Sequence, residues 1–507
     1  MNRSACTIGI AATVGSCFGL FACATHTHSA PPSGLVISDV TIVSPERAAP
    51  LEHAYVRILD GKISELSQRP LRGETEIDGT GRYLTPGLID SHVHLGAIPG
   101  MQPDQEHAHP DIARVAREQF PRSYLYFGFT TIIDLNSDPA GMGRWRDAPL
   151  IPDTFFCGGA ALMDGYPMNY VPKPQRYAMP YIIVEPEGAA ALPPGVDPAG
   201  HTPQAVVARM KSDGAICVKT FFERGFGAEH DLPVPQLTTI RTLVQAAHAA
   251  GLPVLMHANS AEAQTFALDT GVDIIAHGLW STTEKTAPGE LTPAMKAILD
   301  RVVANEVGWQ PTVQVLHGIE ELLNPAFLSD PMLARVLPRS LIDWYGSREG
   351  QWFHDGAEGV AKTDPAALTS LTAERERVSA ATGYLAQRGA RLLFGTDTPS
   401  APIYTNPPGL NARLEMSNWI AAGVSETELF HALTIDNARM LRLDKQIGTV
   451  EPGKTANLLL LSRNPLQHVE AYDTIEMVFL HGRPTFRAEL VANKAGVSAN
   501  TPPKAVE

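Results

Sequence analysis

Six residues of the types that bind or activate metal ions each close a short apolar run in this 507-residue chain: His92, His94, Lys219, His257, His277 and Asp397. The first two stand in PGLIDSHVHLG, one residue apart, so the two-residue period of a β-strand places both imidazoles on one face of a strand end. Imidazoles and a carboxylate suit zinc and similar divalent ions, and the lack of thiolate ligands favours a catalytic over a structural site. Singly, each residue would more often serve packing or a turn. Together they predict one binuclear metal site.

Lys219 is the unusual member of this set, because an ammonium group cannot bind a metal ion. The lysine would have to lose its proton by burial or be converted into an anion. An ordinary ion pair at the mouth of the site is the third interpretation. The residues by themselves leave these three alternatives open.

The segments that carry these residues alternate between strand-like and helix-like patterns over residues 86–442. Such alternation predicts parallel strands with crossover helices. Ligands at the carboxyl ends of successive strands are what a (β/α)8 TIM barrel needs to build an active site. We therefore predict an α/β fold with a barrel over 86–442 and an insertion at about 316–385. The aromatic residues of that insertion would either wall a substrate pocket or pack the insertion onto the barrel: Trp344, Tyr345, Trp352, Phe353 and His354.

Both ends of the chain have a different texture, with short strands and tight turns at 35–85 and 443–490. Asp60-Gly61 and His481-Gly482 have the composition of hairpin turns. We expect these two segments to join in one small β-sandwich beside the barrel, without metal ligands.

Residues 1–24 contain a single basic residue, Arg3, followed by an apolar run of small residues. This pattern indicates a secretory signal peptide. Cleavage at an ordinary site and lipidation of Cys23 after a lipobox-like LFAC are both compatible with the sequence. We expect export in a bacterium, to the periplasm or to a lipid anchor. Outside this leader only Cys157 and Cys217 remain, and the sequence does not decide whether they pair.

The composition is that of a globular protein, with 44% hydrophobic and 19% charged residues. Its net charge of -14 argues against nucleic acid or an anionic membrane surface as a partner. We expect a small-molecule substrate, with membrane contact only through a lipid at Cys23. A homo-oligomer is left open.

The chain resembles the amidohydrolase superfamily, in particular the imidazolonepropionase-like branch with metal-dependent prolidases and other dipeptidases. The resemblance rests on LTPGLIDSHVHLG, GFTTIIDL, AHGLW, LLFGTDTPSAP and IGTVEPGKTANLLLLSRNP. It implies that carbon dioxide converts Lys219 into a carbamate that bridges two divalent ions, with zinc expected. His92, His94 and Asp397 would hold one ion, and His257 and His277 the other. A metal-bridging hydroxide would attack the substrate, with Asp397 as the catalytic general base and acid.

For the substrate, the resemblance implies amide bonds of small N-acyl amino acids or dipeptides. Tyr166 and Tyr170 are candidates to contact it, and Arg224 is a candidate to bind a carboxylate. Lactones, carbamates, cyclic amides and aryl amides are the alternatives on the same site. A deaminase is the weaker option, because deaminase relatives lack the lysine and place a glutamate near the fifth or sixth strand. Here AHGLW has no such glutamate, and Glu262 lies well past His257. A non-enzymatic metal-binding lipoprotein is disfavoured by the complete ligand set.

Overall fold

The computed structural model of the protein describes residues 34–145, 148–186, 188, 192–226, 230–400 and 402–493. The strands are β1 (Leu35–Ile42), β2 (Leu51–Leu59), β3 (Lys62–Ser67), β4 (Thr75–Asp78), β5 (Tyr83–Pro86), β6 (Leu88–Val93), β7 (Phe129–Asp134), β8 (Asp153–Leu162), β9 (Ile182–Ile183), β10 (Cys217–Phe221), β11 (Val254–His257), β12 (Ile274–Ala276), β13 (Gly308–Gln310), β14 (Leu458–Leu461), β15 (Ile475–Leu480) and β16 (Arg483–Phe486). The predicted leader, with Cys23, lies outside the described residues.

The helices alternate with the central strands and then dominate the region before the last strands. They are α1 (Pro103–Ala108), α2 (Pro110–Tyr126), α3 (Pro139–Met142), α4 (Lys173–Arg176), α5 (Pro203–Ser212), α6 (Leu237–Ala249), α7 (Ala261–Thr270), α8 (Pro293–Ala304), α9 (Val313–Glu321), α10 (Leu333–Val336), α11 (Arg339–Tyr345), α12 (Trp352–Thr363), α13 (Pro365–Ala386), α14 (Leu410–Ala421), α15 (Glu426–His431) and α16 (Asn437–Met440). Within the described ranges, no helix is long and apolar enough to cross a lipid bilayer.

Seven central strands form one parallel sheet in the order β13-β12-β11-β10-β8-β7-β6, with the short β9 beside β8. The two edges of this sheet are joined through the segment 391–398. The Leu393 N–H donates to the Trp309 carbonyl of β13 at 3.0 Å, and the Ser91 N–H of β6 donates to the Phe394 carbonyl at 3.2 Å. This curled sheet, with helices between its strands, confirms the expectation of a TIM-barrel-like α/β domain.

The predicted eighth strand is present only as isolated bridges, Trp309 with Leu392 and Val93 with Thr398. Regular pairing is interrupted because Asp397 has a positive φ of 57°. Gly395 also lets this segment approach β6 closely, since a Cβ there would lie 2.7 Å from the Cβ of His92.

The lower part of the barrel interior is filled by an apolar cluster to which six strands contribute, including Ile89, Ile133 and Leu255. Cys157 of β8 and Cys217 of β10 belong to this cluster and are directly opposite in the parallel register. They form a disulfide with 4.5 Å between their Cα atoms. The pairing that the sequence left open is thus a bond between neighbouring strands.

The two ends of the described chain share a second sheet, in the order β16-β15-β14-β5-β1-β2-β3, with β4 beside β1. It has its own apolar cluster, drawn from strands of both ends. The two predicted hairpin turns are confirmed, because Asp60-Gly61 connects β2 to β3 and His481-Gly482 connects β15 to β16, all four residues with positive φ. A closed two-layer sandwich stays a prediction.

Helices α9 to α13 occupy the predicted insertion. The side chains of Trp344 and Tyr345 are buried, and the Tyr345 hydroxyl donates to the Pro99 carbonyl at 2.6 Å. Nε1 of Trp352 donates to the Gly100 carbonyl at 3.0 Å. These contacts favour the packing role, since they attach the insertion to the loop that follows β6.

Candidate metal centre

All six residues identified from the sequence lie at or just beyond the carboxyl ends of barrel strands. His92 lies in β6, Lys219 in β10 and His257 at the end of β11. His94, His277 and Asp397 follow β6, β12 and the Phe394 segment, respectively. All are buried except His94, whose side chain is 29% exposed. Each strand supplies an apolar stretch for the core, so only its last residues face the mouth of the barrel.

Asp397 lies at the centre of this group. Its Oδ1 is 2.9 Å from Nε2 of His94 and 3.1 Å from Nε2 of His92. Its Oδ2 is 3.9 Å from Nδ1 of His277. One ligand atom from each of His92, His277 and Asp397 lies within 4.8 Å of the others. The His257 ring lies next to the His277 ring, with 4.4 Å between their centroids.

The backbone at two of these residues adopts the left-handed conformation, which side chains other than glycine rarely take. His277 has a φ of 78° and Asp397 a φ of 57°. Such strained residues persist only where the surrounding structure holds them, and they concentrate at functional sites. In both residues the left-handed conformation changes the direction of the backbone at the point where the strand segment ends.

Burial keeps most of the imidazoles neutral. It lowers the pKa of His92 to about 3, with a contribution from the charge of Lys219, and it also lowers the pKa of His257 and His277. For His94 the burial effect is outweighed by the hydrogen bond and charge of Asp397, which raise its pKa. Neutral imidazoles have the free lone pair that a divalent ion requires.

Lys219 is the most informative residue of the group. Its side chain is 1% exposed, and among the described residues its Nζ has no hydrogen-bond partner. Burial lowers the pKa of this amine to about 7, against an opposing effect of the Asp397 carboxylate. An ion pair at the barrel mouth, the ordinary interpretation of this lysine, is therefore not what the described residues form.

Two polar side chains, Gln310 and Thr312, contact histidines of the centre. Oε1 of Gln310 lies 3.2 Å from Nδ1 of His92, and Oγ1 of Thr312 lies 3.1 Å from Nδ1 of His277. In His92 the other nitrogen, Nε2, is the one near Asp397, which is the arrangement that usually fixes the ring orientation of a metal-binding histidine. In His277 the same Nδ1 lies near both Thr312 and Asp397. Four imidazoles, a carboxylate and an orphaned buried amine thus fit divalent ions.

The structure adds Glu223, which the sequence did not reveal. Its side chain is 9% exposed; Oε2 lies 3.2 Å from Nε2 of His257, and Oε1 accepts a hydrogen bond from the Gly225 N–H at 2.8 Å. It follows the end of β10 by two residues, in the irregular segment that begins at Phe222. The only signal for Glu223 in the sequence is that the apolar run around Lys219 ends in a charged residue.

The predicted substrate residues have different surroundings. The Tyr166 ring lies 4.8 Å from the His257 ring, at the edge of the centre, whereas Tyr170 is 64% exposed. Arg224 donates from Nε and Nη2 to both carboxylate oxygens of Glu262, at 3.0 and 2.8 Å. A substrate carboxylate would have to displace Glu262 to form a bidentate contact with Arg224.

A cavity of about 510 Å³ adjoins the centre on the side of His94. It lies between the loops that follow β6, β7 and β8, and its lining includes Asp134, Arg144 and Met168. Its volume is within the range of small-molecule sites in proteins.

The family model described as amidohydrolase family matches residues 83–485. Adenine deaminase 2 of Oenococcus oeni is 29% identical over 110 residues, which are 20% of this chain and 17% of that protein. An uncharacterized protein of Mycobacterium tuberculosis is 26% identical over 234 residues, 45% of this chain and 53% of that protein. The chain thus spans about half the length, or less, of these relatives.

Solved structures resemble the chain over most of its length at low identity. A Xaa-Pro dipeptidase with bound methionine has a TM-score of 0.63 at 18% identity, covering 90% of this chain and 100% of that one. A. niger ochratoxinase has a TM-score of 0.62 at 17% identity, with 89% and 95% covered. Molinate hydrolase has a TM-score of 0.61 at 16% identity, with 94% and 99% covered. These likenesses establish the fold, and the match over residues 83–485 establishes the family: the chain belongs to the amidohydrolase family.

Proposed function

We propose that the protein is a binuclear metal-dependent hydrolase that cleaves the amide bond of small N-acyl amino acids or dipeptides. The observation that carries the proposal is the orphaned amine of Lys219, buried among four histidines and Asp397. A buried neutral amine can add to carbon dioxide; a carbon–nitrogen bond forms, one proton is lost, and the product is an anionic carbamate. That conversion would supply the charge that a lysine otherwise lacks for holding metal.

In this proposal His92, His94 and Asp397 would hold one divalent ion, His257 and His277 would hold the other, and the carbamate of Lys219 would supply a further anionic ligand. Zinc is the expected metal, given the nitrogen and oxygen donors. When bound, such ions lower the pKa of water and polarise a carbonyl group.

Asp397 is the residue we assign to proton transfer. Burial opposes ionisation of its carboxyl, but the interaction with His92 and the hydrogen bonds with His92 and His94 outweigh it and hold the pKa of Asp397 well below the ordinary value. The carboxylate would accept the proton of the attacking water on one oxygen and deliver it to the leaving nitrogen. Tyr166, next to His257, is placed to contact the substrate.

The structural relatives support a carbon–nitrogen hydrolase in general terms, since their names include a dipeptidase and other hydrolases. Lactones, carbamates, cyclic amides and aryl amides remain the alternative substrates. Deamination is favoured by one observation, the buried Glu223 next to the fifth-strand histidine. Local matches to deaminases agree with it, but the buried lysine argues for the amide hydrolase.

We also propose export, with the leader at residues 1–24 and an ordinary or lipoprotein-type cleavage. The disulfide between Cys157 and Cys217 supports it, because such bonds persist mainly in oxidising compartments.

The test is a hydrolysis screen of the zinc-loaded protein against dipeptides, N-acyl amino acids, lactones, carbamates, aryl amides and aminopurines. We expect release of amino acids from the first two classes. Asp397→Asn should slow that release by about 10² to 10⁴ fold, while Asp300→Asn, a change at an exposed ion pair of α8, should not. Ammonia release from aminopurines without cleavage of any amide would contradict the proposal and favour deamination.

A further inference from the structure

The cavity beside His94 has two chemically distinct sides. Met168 and Met179, from the loop after β8, and Ile182 of β9 supply apolar atoms. The loop after β7 supplies polar groups, including Asn136 and Arg144. A substrate held here would therefore have an apolar part and a polar part, both next to a residue of the proposed metal centre.

The two carboxylates of the lining are already engaged by the protein. The Asp134 carboxylate accepts hydrogen bonds from the backbone N–H of Leu95 at 2.9 Å and of Asn136 at 3.0 Å. Oδ1 of Asp138 accepts a hydrogen bond from the Gly141 N–H at 2.7 Å and thereby caps α3. Neither acid lies within ion-pair distance of Arg144, so neither of them neutralises its charge.

Arg144 is fixed in place without being neutralised. Its Nη1 donates to the Gly96 carbonyl at 2.8 Å, and no carboxylate of the described chain forms an ion pair with it. A guanidinium has five N–H donors, so several remain for a ligand. Gly96 follows His94 by two residues, a reach of about 7 Å along the chain. Its backbone contact therefore ties Arg144 to the neighbourhood of the centre.

We propose that Arg144 binds the free carboxylate of the substrate in this cavity and that Arg144, rather than Arg224, sets a preference for substrates with such a group. The contrast with Arg224 is direct, since both oxygens of Glu262 already occupy that guanidinium. The substrate class is then a small amide with a free carboxylate and an apolar side chain that faces Met168 and Met179. The inference rests on the proposed function.

Binding of L-leucine and L-leucinamide to the zinc-loaded full chain, measured by calorimetry, is the primary test. We expect the wild type to bind the acid more tightly than the amide. Arg144→Met should weaken binding of the acid by about tenfold to hundredfold, the effect of one lost charge-assisted hydrogen bond. Binding of the amide should stay almost unchanged. Arg144→Lys should retain part of the preference, and Arg224→Met, the matched control, should retain all of it.

Hydrolysis of N-acetyl-L-leucine and N-acetyl-L-leucinamide separates this inference from the proposed function. If neither is cleaved but Arg144→Met still loses affinity for L-leucine, the carboxylate site stands and the hydrolase proposal fails. If both are cleaved and Arg144→Met keeps the preference for the acid, the inference is overturned alone. A wild type that does not bind the acid more tightly than the amide, including one that binds neither, also overturns it. Thermal unfolding of each variant checks folding; Arg144 is exposed, so no large change is expected.

Discussion

The carboxylate of Glu223 lies 3.2 Å from Nε2 of His257, and both side chains are buried at the mouth of the barrel. If His257 donates its Nε2 proton to this carboxylate, its Nδ1 keeps the lone pair and is the nitrogen available to a metal ion. Carboxylates in this position orient metal-binding histidines and increase their basicity. The pair thus defines which nitrogen of the His257 ring is available to a metal ion.

Replacement of Glu223 should weaken the proposed metal site at His257. Glu223→Ala removes the acceptor, so His257 loses its fixed tautomer, and we expect about a tenfold to hundredfold loss in affinity for one of two zinc ions. Glu223→Gln keeps an oxygen acceptor and should lose less. Metal titration with a chromogenic chelator measures both, and Glu262→Gln, a change at an exposed acid paired with Arg224, is the control. Unchanged affinity for both ions in Glu223→Ala would contradict the role.

Asp397→Asn should separate metal binding from turnover. The amide keeps one oxygen for a ligand but cannot accept a proton, so much of the metal should remain. The rate should fall by about 10² to 10⁴ fold, the usual contribution of general acid–base catalysis. Elemental analysis and kcat on the same preparation provide the two readings. A rate close to that of the wild type would mean that another residue moves the proton.

The six central residues could be predicted from the sequence because each closes an apolar run, a pattern that lies within one segment and does not depend on tertiary contacts. The sequence did not predict Glu223, Gln310 or Thr312, because their contacts with the histidines depend on how separate loops and strands meet. The pairing of Cys157 with Cys217 depends in the same way on the register between β8 and β10. Register in a parallel sheet is set by packing on both faces, which no single segment encodes.

The fold shows a similar division. Seven of the eight predicted barrel strands are regular, since buried parallel strands need continuous apolar sequences. The eighth was predicted from RLLFGTD in the same way, but the close approach at Gly395 and the positive φ of Asp397 leave only isolated bridges. In the sequence, the position of Arg224 shortly after Lys219 makes it a candidate to bind a substrate carboxylate. Its partner Glu262, 38 positions away, was not foreseeable from that spacing.

Glu415 should make stability depend on pH. It is fully buried and accepts hydrogen bonds from the Val313 and Gln314 N–H groups; burial, only partly opposed by these bonds, raises its pKa from 4.5 to about 7. The folded protein then holds this proton where the unfolded chain has released it. The stabilisation is complete below pH 4.5 and is lost as the pH rises through about 7.

Comparison with Glu415→Gln isolates this effect, because the amide does not titrate. We expect the thermal midpoint of the wild type to fall relative to that of the variant between pH 5 and pH 8. Scanning calorimetry at both pH values gives the difference. A constant difference, or one of the opposite sign, would show that Glu415 is ionised in the folded protein throughout this range.

The disulfide predicts the thiol content of the protein. In a chain without the proposed leader at residues 1–24, which contains the other three cysteines, alkylation after denaturation should label Cys157 and Cys217 only after reduction. The bond closes a separation of 60 residues, for which chain entropy suggests a stabilisation of about 4 kcal/mol. Cys157→Ala/Cys217→Ala should therefore unfold at a clearly lower temperature. Two free thiols in protein purified under oxidising conditions would contradict the pairing.

Metal content of the Lys219 variant tests the central claim most directly. Elemental analysis of the purified wild type should give close to two divalent ions per chain, with zinc predominant. Lys219→Ala should fall well below that ratio, because it removes the side chain that would form the proposed carbamate ligand. The control Lys211→Ala, at an exposed residue of α5, should keep both ions. A Lys219→Ala protein that retains two ions per chain, or a wild type that binds none, would contradict the account.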